Sequence, residues 1–342
     1  MTAREIVKKR MNHEGTEITP YSIGIESNLY RKLTEYYKDE QWYSKKLKHY
    51  ISGCLNADTV LMEQISDVYS RDGYGALWRM DKKPWHLENP PFEEPIFDAS
   101  KLPTSEKFVA NILAQKENAI KACAADSEHY QIINMGWGIF EHSWRLRGFE
   151  NALMDMLSDE DFYRDLTEHI TAIYIDMIKA CADVPADAFL FGDDWGDQRG
   201  VIMGAESWRK FLKPCWARIY AEVHSQGKLV MQHSCGSIAP IYDDLIEIGM
   251  DCHESVQPEA EGMAPEVIKE RWGKKMSYWG CLGSQSILNY GTPSEIRAEI
   301  LRLVDLFKDD GGYILAPAKP LFDEMPVDKA VAVIETFAEL NG

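Results

Sequence analysis

The chain has 342 residues, 45% of them hydrophobic, and a formal net charge of −18 from 55 acidic against 37 basic side chains. That length buries a large core, enough for one barrel or two smaller domains. The acidic balance argues against nucleic acid or an anionic membrane as a partner, and seven scattered cysteines fit a reducing cytoplasm.

The N-terminus, "MTAREIVKKRMNHEG", lacks an apolar core and a small-residue cleavage site, so no signal peptide is expected. No apolar run approaches the ~20 residues of a membrane span. "PYSIGI" (20–25) and "DTVLMEQ" (58–64) read as the first two strands. The stretch 65–105, rich in proline and aromatics, reads as a loop or hairpin insertion after the second strand. "YQIINMG" (130–136) is the third strand.

A regular grammar then sets in. A long amphipathic helix, 161–182, leads to "DAFLFGDD". A helix over 206–225 stops at Gly227 and feeds "KLVMQHS". Helices near 241–248 and 265–272 stop at Gly249 and Gly273 and feed "MDCHESV" and "KMSYWGC". The clearest helix has Thr292 as N-cap, Pro293 in its first turn and Glu295 completing a capping box. Its apolar positions Ile296, Ile300, Val304 and Phe307 repeat at helical spacing, Gly311-Gly312 ends it, and a buried strand from Tyr313 to Ala316 follows. Repeated helix-then-strand units imply a parallel sheet, and eight strands in this length point to a single α/β domain over 1–342, a (β/α)8 TIM barrel. An open doubly wound sheet is the alternative, weakened because no GxGxxG follows an early strand.

In such a barrel the loops after the strand ends form the site. That rim carries Trp137, Asp193-Asp194-Trp195, His233-Ser234-Cys235, Glu254, Gln257, Cys281 and Lys319. Residues i and i+2 of a strand share a face, so His233 and Cys235 can aim at one zinc ion. The plain alternative is a packed thiol and a locally hydrogen-bonded imidazole. Only one of Asp193 and Asp194 can point along the barrel axis, to act as acid, base or orienting group; capping a turn is the other option. Arg145, Arg147 and Arg199 could meet a carboxylate, or pair with local acids. Trp137, Trp195 and Tyr278 could wall a pocket. Cys123, Cys181 and Cys215 sit in helical patterns and read as core.

The segments "FGDDWGDQRGVIMGAESWRKFLKP", "GKLVMQHSCGSIAPIYDDLIEIGMD", "VQPEA", "YWGCLGSQ" and "GGYILAPA" resemble the uroporphyrinogen decarboxylase superfamily, as do "NHEGTEITPYSIGI" and "GWGIFEHSWRLRGFENALMDML". The resemblance covers nearly the whole chain and implies a (β/α)8 barrel. It implies one of two chemistries. One is zinc-dependent methyl transfer with a corrinoid carried by a partner protein. The other is metal-free decarboxylation of a tetrapyrrole or other carboxylated substrate, with Asp193 or Asp194 meeting pyrrole N–H groups. True decarboxylases carry a motif like "RQAGRY" near the N-terminus, where this chain has "PYSIGIESNLYRKL". Several carboxylate arms need several arginines, so uroporphyrinogen is not the expected substrate. Thiol-methylating members bind zinc through His-x-Cys and a distant cysteine. His233 and Cys235 match the first part, while Ala318 stands where the distant cysteine falls. The expected third ligand is then Glu254, with Cys281 as second choice, while Trp137, Trp195, Arg199, Gln257 and Lys319 would contact a small-molecule substrate. Fewer thiolates leave the zinc more Lewis-acidic, which suits an oxygen or nitrogen methyl substrate.

Overall fold

Seven parallel strands form the frame of the protein, a computed structural model that describes residues 1–57, 59–309 and 311–340. They are β1 (Ile51–Asn56), β6 (Tyr130–Gly136), β7 (Ala188–Gly192), β8 (Leu229–His233), β9 (Cys252–Val256), β10 (Ser277–Leu282) and β11 (Tyr313–Pro317), hydrogen-bonded in that order. Consecutive parallel neighbours joined by helices are the arrangement of a barrel wall. β10 and β11 are buried along their whole length, because helices cover the outside while packed side chains fill the inside.

The segment 20–25 takes the next place beyond β11. The N–H of Ser22 donates to the Leu315 carbonyl, the N–H of Leu315 donates to the Pro20 carbonyl, and a second bridge joins Ile25 to Leu321. On the side toward β1, Tyr43 donates its hydroxyl to the Ile23 carbonyl and the N–H of Lys48 donates to the Tyr21 hydroxyl. A small cavity of about 180 Å3 separates Ser22–Gly24 from His49–Ile51. The expected first strand is therefore present as a bridged segment rather than a full strand.

The expected second strand is corrected. The strand in the seven-stranded sheet is β1 (Ile51–Asn56); of the expected 58–64, residue 58 lies outside the described residues, and Glu63–Gln64 is β2 of a separate sheet. That sheet is antiparallel, with β2 followed by β3 (Tyr69–Arg71), β4 (Leu77–Arg79) and β5 (His86–Asn89). It is the body of the expected insertion. The buried Asp72 carboxylate ties its turn by accepting from the N–H groups of Tyr74 and Ala76 and from the Trp78 indole.

The helices follow the sequence signals. Thr292 caps Pro293–Phe307 through the N–H of Glu295, and Glu295 reaches back to the N–H of Thr292. Ile296, Ile300, Leu303 and Phe307 form its buried face. The long helix is Glu160–Ala180, and helical turns run without a break over 205–225. Among the described residues, no helix is long and apolar enough to cross a membrane.

Candidate metal centre at the strand ends

Strands β7 and β8 deliver three metal-capable side chains to one point. Asp194 Oδ1 and Cys235 Sγ each lie 3.4 Å from His233 Nε2, and all three donor atoms fall within 4.8 Å of one another. Zinc bonds of about 2.0–2.3 Å in tetrahedral array hold their donors about 3.3–3.7 Å apart, so both His233 distances have the length of a tetrahedral edge. A carboxylate oxygen, an imidazole nitrogen and a sulfur form an accepted zinc donor set.

The cluster is held from outside. His233 Nδ1 donates to Glu254 Oε2 at 2.5 Å, which fixes the ring and turns Nε2 toward Asp194 and Cys235. This is the carboxylate brace that metal-bound histidines use. The N–H of Cys235 donates to Asp194 Oδ1 (2.8 Å), and the Gln257 amide oxygen accepts from the N–H of Gly236 (3.1 Å). Lys319 Nζ donates to Cys235 Sγ at 2.9 Å. Burial opposes charge on His233, but Glu254, Asp194 and Cys235 around it raise its pKa well above the usual value. Burial would raise the Asp194 carboxyl, yet His233 and the N–H of Cys235 hold it well below the carboxylate range. A metal entering here would displace the Nε2 proton.

Asp193 faces the other way. It is fully buried and accepts from the N–H groups of Phe140 (3.1 Å) and Glu141 (2.9 Å) and from the indoles of Trp195 (2.7 Å) and Trp216 (3.2 Å). It thereby satisfies the first turn of helix Ile139–Arg147. Gly138 permits this approach: a Cβ there would lie 2.4 Å from the Gly192 carbonyl oxygen and 2.5 Å from the Asp193 Cβ.

The helix start that Asp193 anchors puts Glu141 into the wall of a cavity of about 330 Å3, lined also by Asn134, Trp137, Phe191, Asp194, His233 and Glu254. Burial first, then the charges of Asp193 and Asp194, push the Glu141 carboxyl up to about 8. Burial also pushes Asp193 up, to about 7, against its four donors. Near neutral pH the Glu141 carboxyl keeps its proton, whereas the Asp193 oxygens face N–H donors, which favour its ionised form.

A family model described as uroporphyrinogen decarboxylase (URO-D) matches residues 85–340. The chain belongs to the URO-D family. Its fold is similar to that of a methyltransferase from Methanosarcina mazei, with a TM-score of 0.71 at 15% identity over 100% of both chains. An endo-beta-mannanase/endo-beta-glucanase from Prevotella bryantii also aligns, with a TM-score of 0.39 at 15% identity over 69% of this chain and 38% of the other. No curated protein matches the sequence.

Within this URO-D fold several expected site residues take other places. Glu254, expected as third ligand, hydrogen-bonds Nδ1 of His233, and it is Asp194, expected as catalytic, whose carboxylate gathers with His233 and Cys235. Cys281 is buried, and the charges acting on its thiol are Arg302, Glu266 and Glu299 of the outer helices. The β9–β10 register slips between Trp279 and Gly280, and Cys281 takes a left-handed φ of 70°, so regular strand alternation does not hold at this strand end. Asp193, expected as catalytic, is the helix anchor; Trp195, expected against substrate, is buried and bonded to it. Arg199 is solvent-exposed beside Asp197, and Gln257 is a buried brace of the loop after β8. Trp137 does line the cavity, and Lys319 reaches Cys235. Glu141 was not among the expected residues: its sequence signal is only that of a helix-capping glutamate.

Proposed function

We propose that this protein is a zinc-dependent methyltransferase that passes a methyl group between a small oxygen- or nitrogen-methylated substrate and a corrinoid carried by a partner protein. The observation that carries the reading is the Asp194–His233–Cys235 cluster at the strand ends, with His233 fixed by Glu254. The Methanosarcina neighbour, named a methyltransferase, agrees with it. Asp194, His233 and Cys235 would hold the ion, and bound zinc supplies a Lewis acid for the heteroatom that carries the methyl group. With one thiolate in the donor set, and Lys319 donating to that sulfur, little charge reaches the metal.

The chain's own groups do the rest. Trp137, Leu190 and Phe191 give the cavity its apolar wall. Glu141, protonated near neutral pH, serves as acid. As the C–O bond of an ether breaks, its electron pair stays on oxygen and that oxygen takes the Glu141 proton. A corrinoid bound at this face would supply the electron pair that accepts the methyl group. A cavity of about 330 Å3 takes one small molecule, not a tetrapyrrole with its arms.

The test uses zinc-loaded protein, reduced cobalamin as acceptor and a panel of methoxyarenes and methylamines. Methylation of the cobalamin, visible in its absorption spectrum and abolished by a chelator, is the expected result. Decarboxylation of a carboxylated substrate by chelator-treated protein, with no methyl transfer, would contradict it in favour of the metal-free lyase.

A further inference from the structure

The two strands that deliver the metal-capable side chains start beside a second cavity. It holds about 470 Å3 and lies where β7 and β8 begin, at the end of the sheet opposite the cluster. Residues 182–187 before β7 and 226–229 at the start of β8 form one side, and Arg4 and Lys8 of helix Ala3–Met11 form another. That helix lies across the strand starts. The N–H of Arg4 donates to the Glu128 carbonyl just before β6, and the N–H of Gly312, just before β11, donates to the Arg10 carbonyl.

The chain carries a net charge of −18, yet this pocket is cationic. Arg4, Lys8 and Lys228 line it against two carboxylates, Asp183 and Asp187, and both carboxylates are committed. Asp187 accepts from Arg4 Nη2 (2.8 Å), Lys8 Nζ (2.9 Å) and the N–H of Gln131 (2.8 Å), while Asp183 pairs with Lys116 (2.8 Å). Lys228 is left over. It is 6% exposed, and among the described residues its ammonium donates to two neutral oxygens, the Ala182 carbonyl (3.1 Å) and the Gln226 amide (3.4 Å). A nearly buried cation is ordinarily matched by a counter-charge. Tyr130 lines the same pocket, and its buried hydroxyl has no partner.

We propose that this cavity binds a small phosphate ester, whose phosphoryl oxygens meet Lys228, Lys8 and the Nη1 of Arg4. The donors left open favour phosphate over carboxylate. Asp187 already occupies Nε and Nη2 of Arg4, so a second carboxylate finds no planar fork to pair with. What remains are ammonium groups on separate segments, point charges that suit the three oxygens of a phosphoryl group. The volume exceeds that of inorganic phosphate, and Asn12 and Gln226 offer hydrogen bonds to a polar organic part. The site goes beyond the reaction proposed above, since it lies at the other end of β7 and β8 and takes a ligand other than the methyl substrate.

Ribose 5-phosphate, ribose, inorganic phosphate and citrate are titrated calorimetrically into the full chain and into Lys228→Gln, Lys8→Gln and His233→Ala. The wild type is expected to bind ribose 5-phosphate at least about tenfold more tightly than the other three. Lys228→Gln should weaken that binding by at least about tenfold, and Lys8→Gln by less, because Lys8 also serves Asp187. His233→Ala, altered only at the metal cluster, should bind it as the wild type does. No binding of ribose 5-phosphate at millimolar concentrations overturns the proposal, as does equal affinity for inorganic phosphate or citrate. Binding that survives both lysine variants, or that is lost in His233→Ala, places the anion elsewhere and overturns it too. If Lys228→Gln does not fold, the half-exposed Lys8 gives the same reading. Zinc content and methyl transfer do not enter this test, so its failure leaves the methyltransferase reading untouched.

Discussion

Glu141→Gln is expected to lower turnover by about 10²–10⁴-fold, the usual contribution of a positioned general acid, while leaving zinc content unchanged. Glutamine keeps the shape of the neutral carboxyl and removes its proton. In the wild type, activity should fall as pH rises through about 8, where Glu141 loses that proton; in the variant this limb should vanish. The same carboxyl affects stability with a definite sign. Its folded pKa lies above the ordinary 4.5, so the native chain keeps a proton that the unfolded chain releases. Its contribution is greatest below the ordinary value and declines as pH rises to about 8. A glutamine variant with wild-type turnover and an unchanged alkaline limb would remove Glu141 from the mechanism.

Asp193→Ala should destabilise the fold by about 3–6 kcal/mol, among the larger effects of a single substitution. Four buried N–H groups lose their acceptor together: two at the start of helix Ile139–Arg147 and the indoles of Trp195 and Trp216. Asp193→Asn keeps one acceptor oxygen and should cost less. Urea unfolding followed by tryptophan fluorescence reads both values. A shift below about 1 kcal/mol for the alanine variant would show that these donors find water or other partners.

The second half of the chain was legible because each helix ends on a glycine or starts on a cap, and each strand is a short apolar run. The first half lacks that punctuation. β1 reads "ISGCLN", with little apolar character to announce a barrel strand, and its register slips between Gly53 and Leu55. "DTVLMEQ" is more apolar and reads more readily as a strand, yet of its described residues, 59–64, only the last two are in one. At the site, the i, i+2 argument places His233 and Cys235 together, and the adjacent Asp193 and Asp194 do point apart, one to the helix start and one to the cluster. The place of Asp194 in the cluster was not legible: Glu254 sits one strand over from His233 and meets the other nitrogen of its ring, while the Asp194 carboxylate gathers with His233 and Cys235. Glu141 was invisible for a different reason. Its raised pKa comes from burial and from carboxylates about fifty residues away, which no local pattern records.

The central claim is that Asp194, His233 and Cys235 bind one zinc ion. Zinc stoichiometry by elemental analysis, on protein purified without added metal, tests it most directly. The account predicts about one zinc per chain in the wild type, none in His233→Ala or Cys235→Ala, and a 10–100-fold weaker affinity in Glu254→Gln, where only the brace is altered. A wild type that takes up no zinc even from excess metal, or one whose zinc survives the loss of both His233 and Cys235, would contradict it.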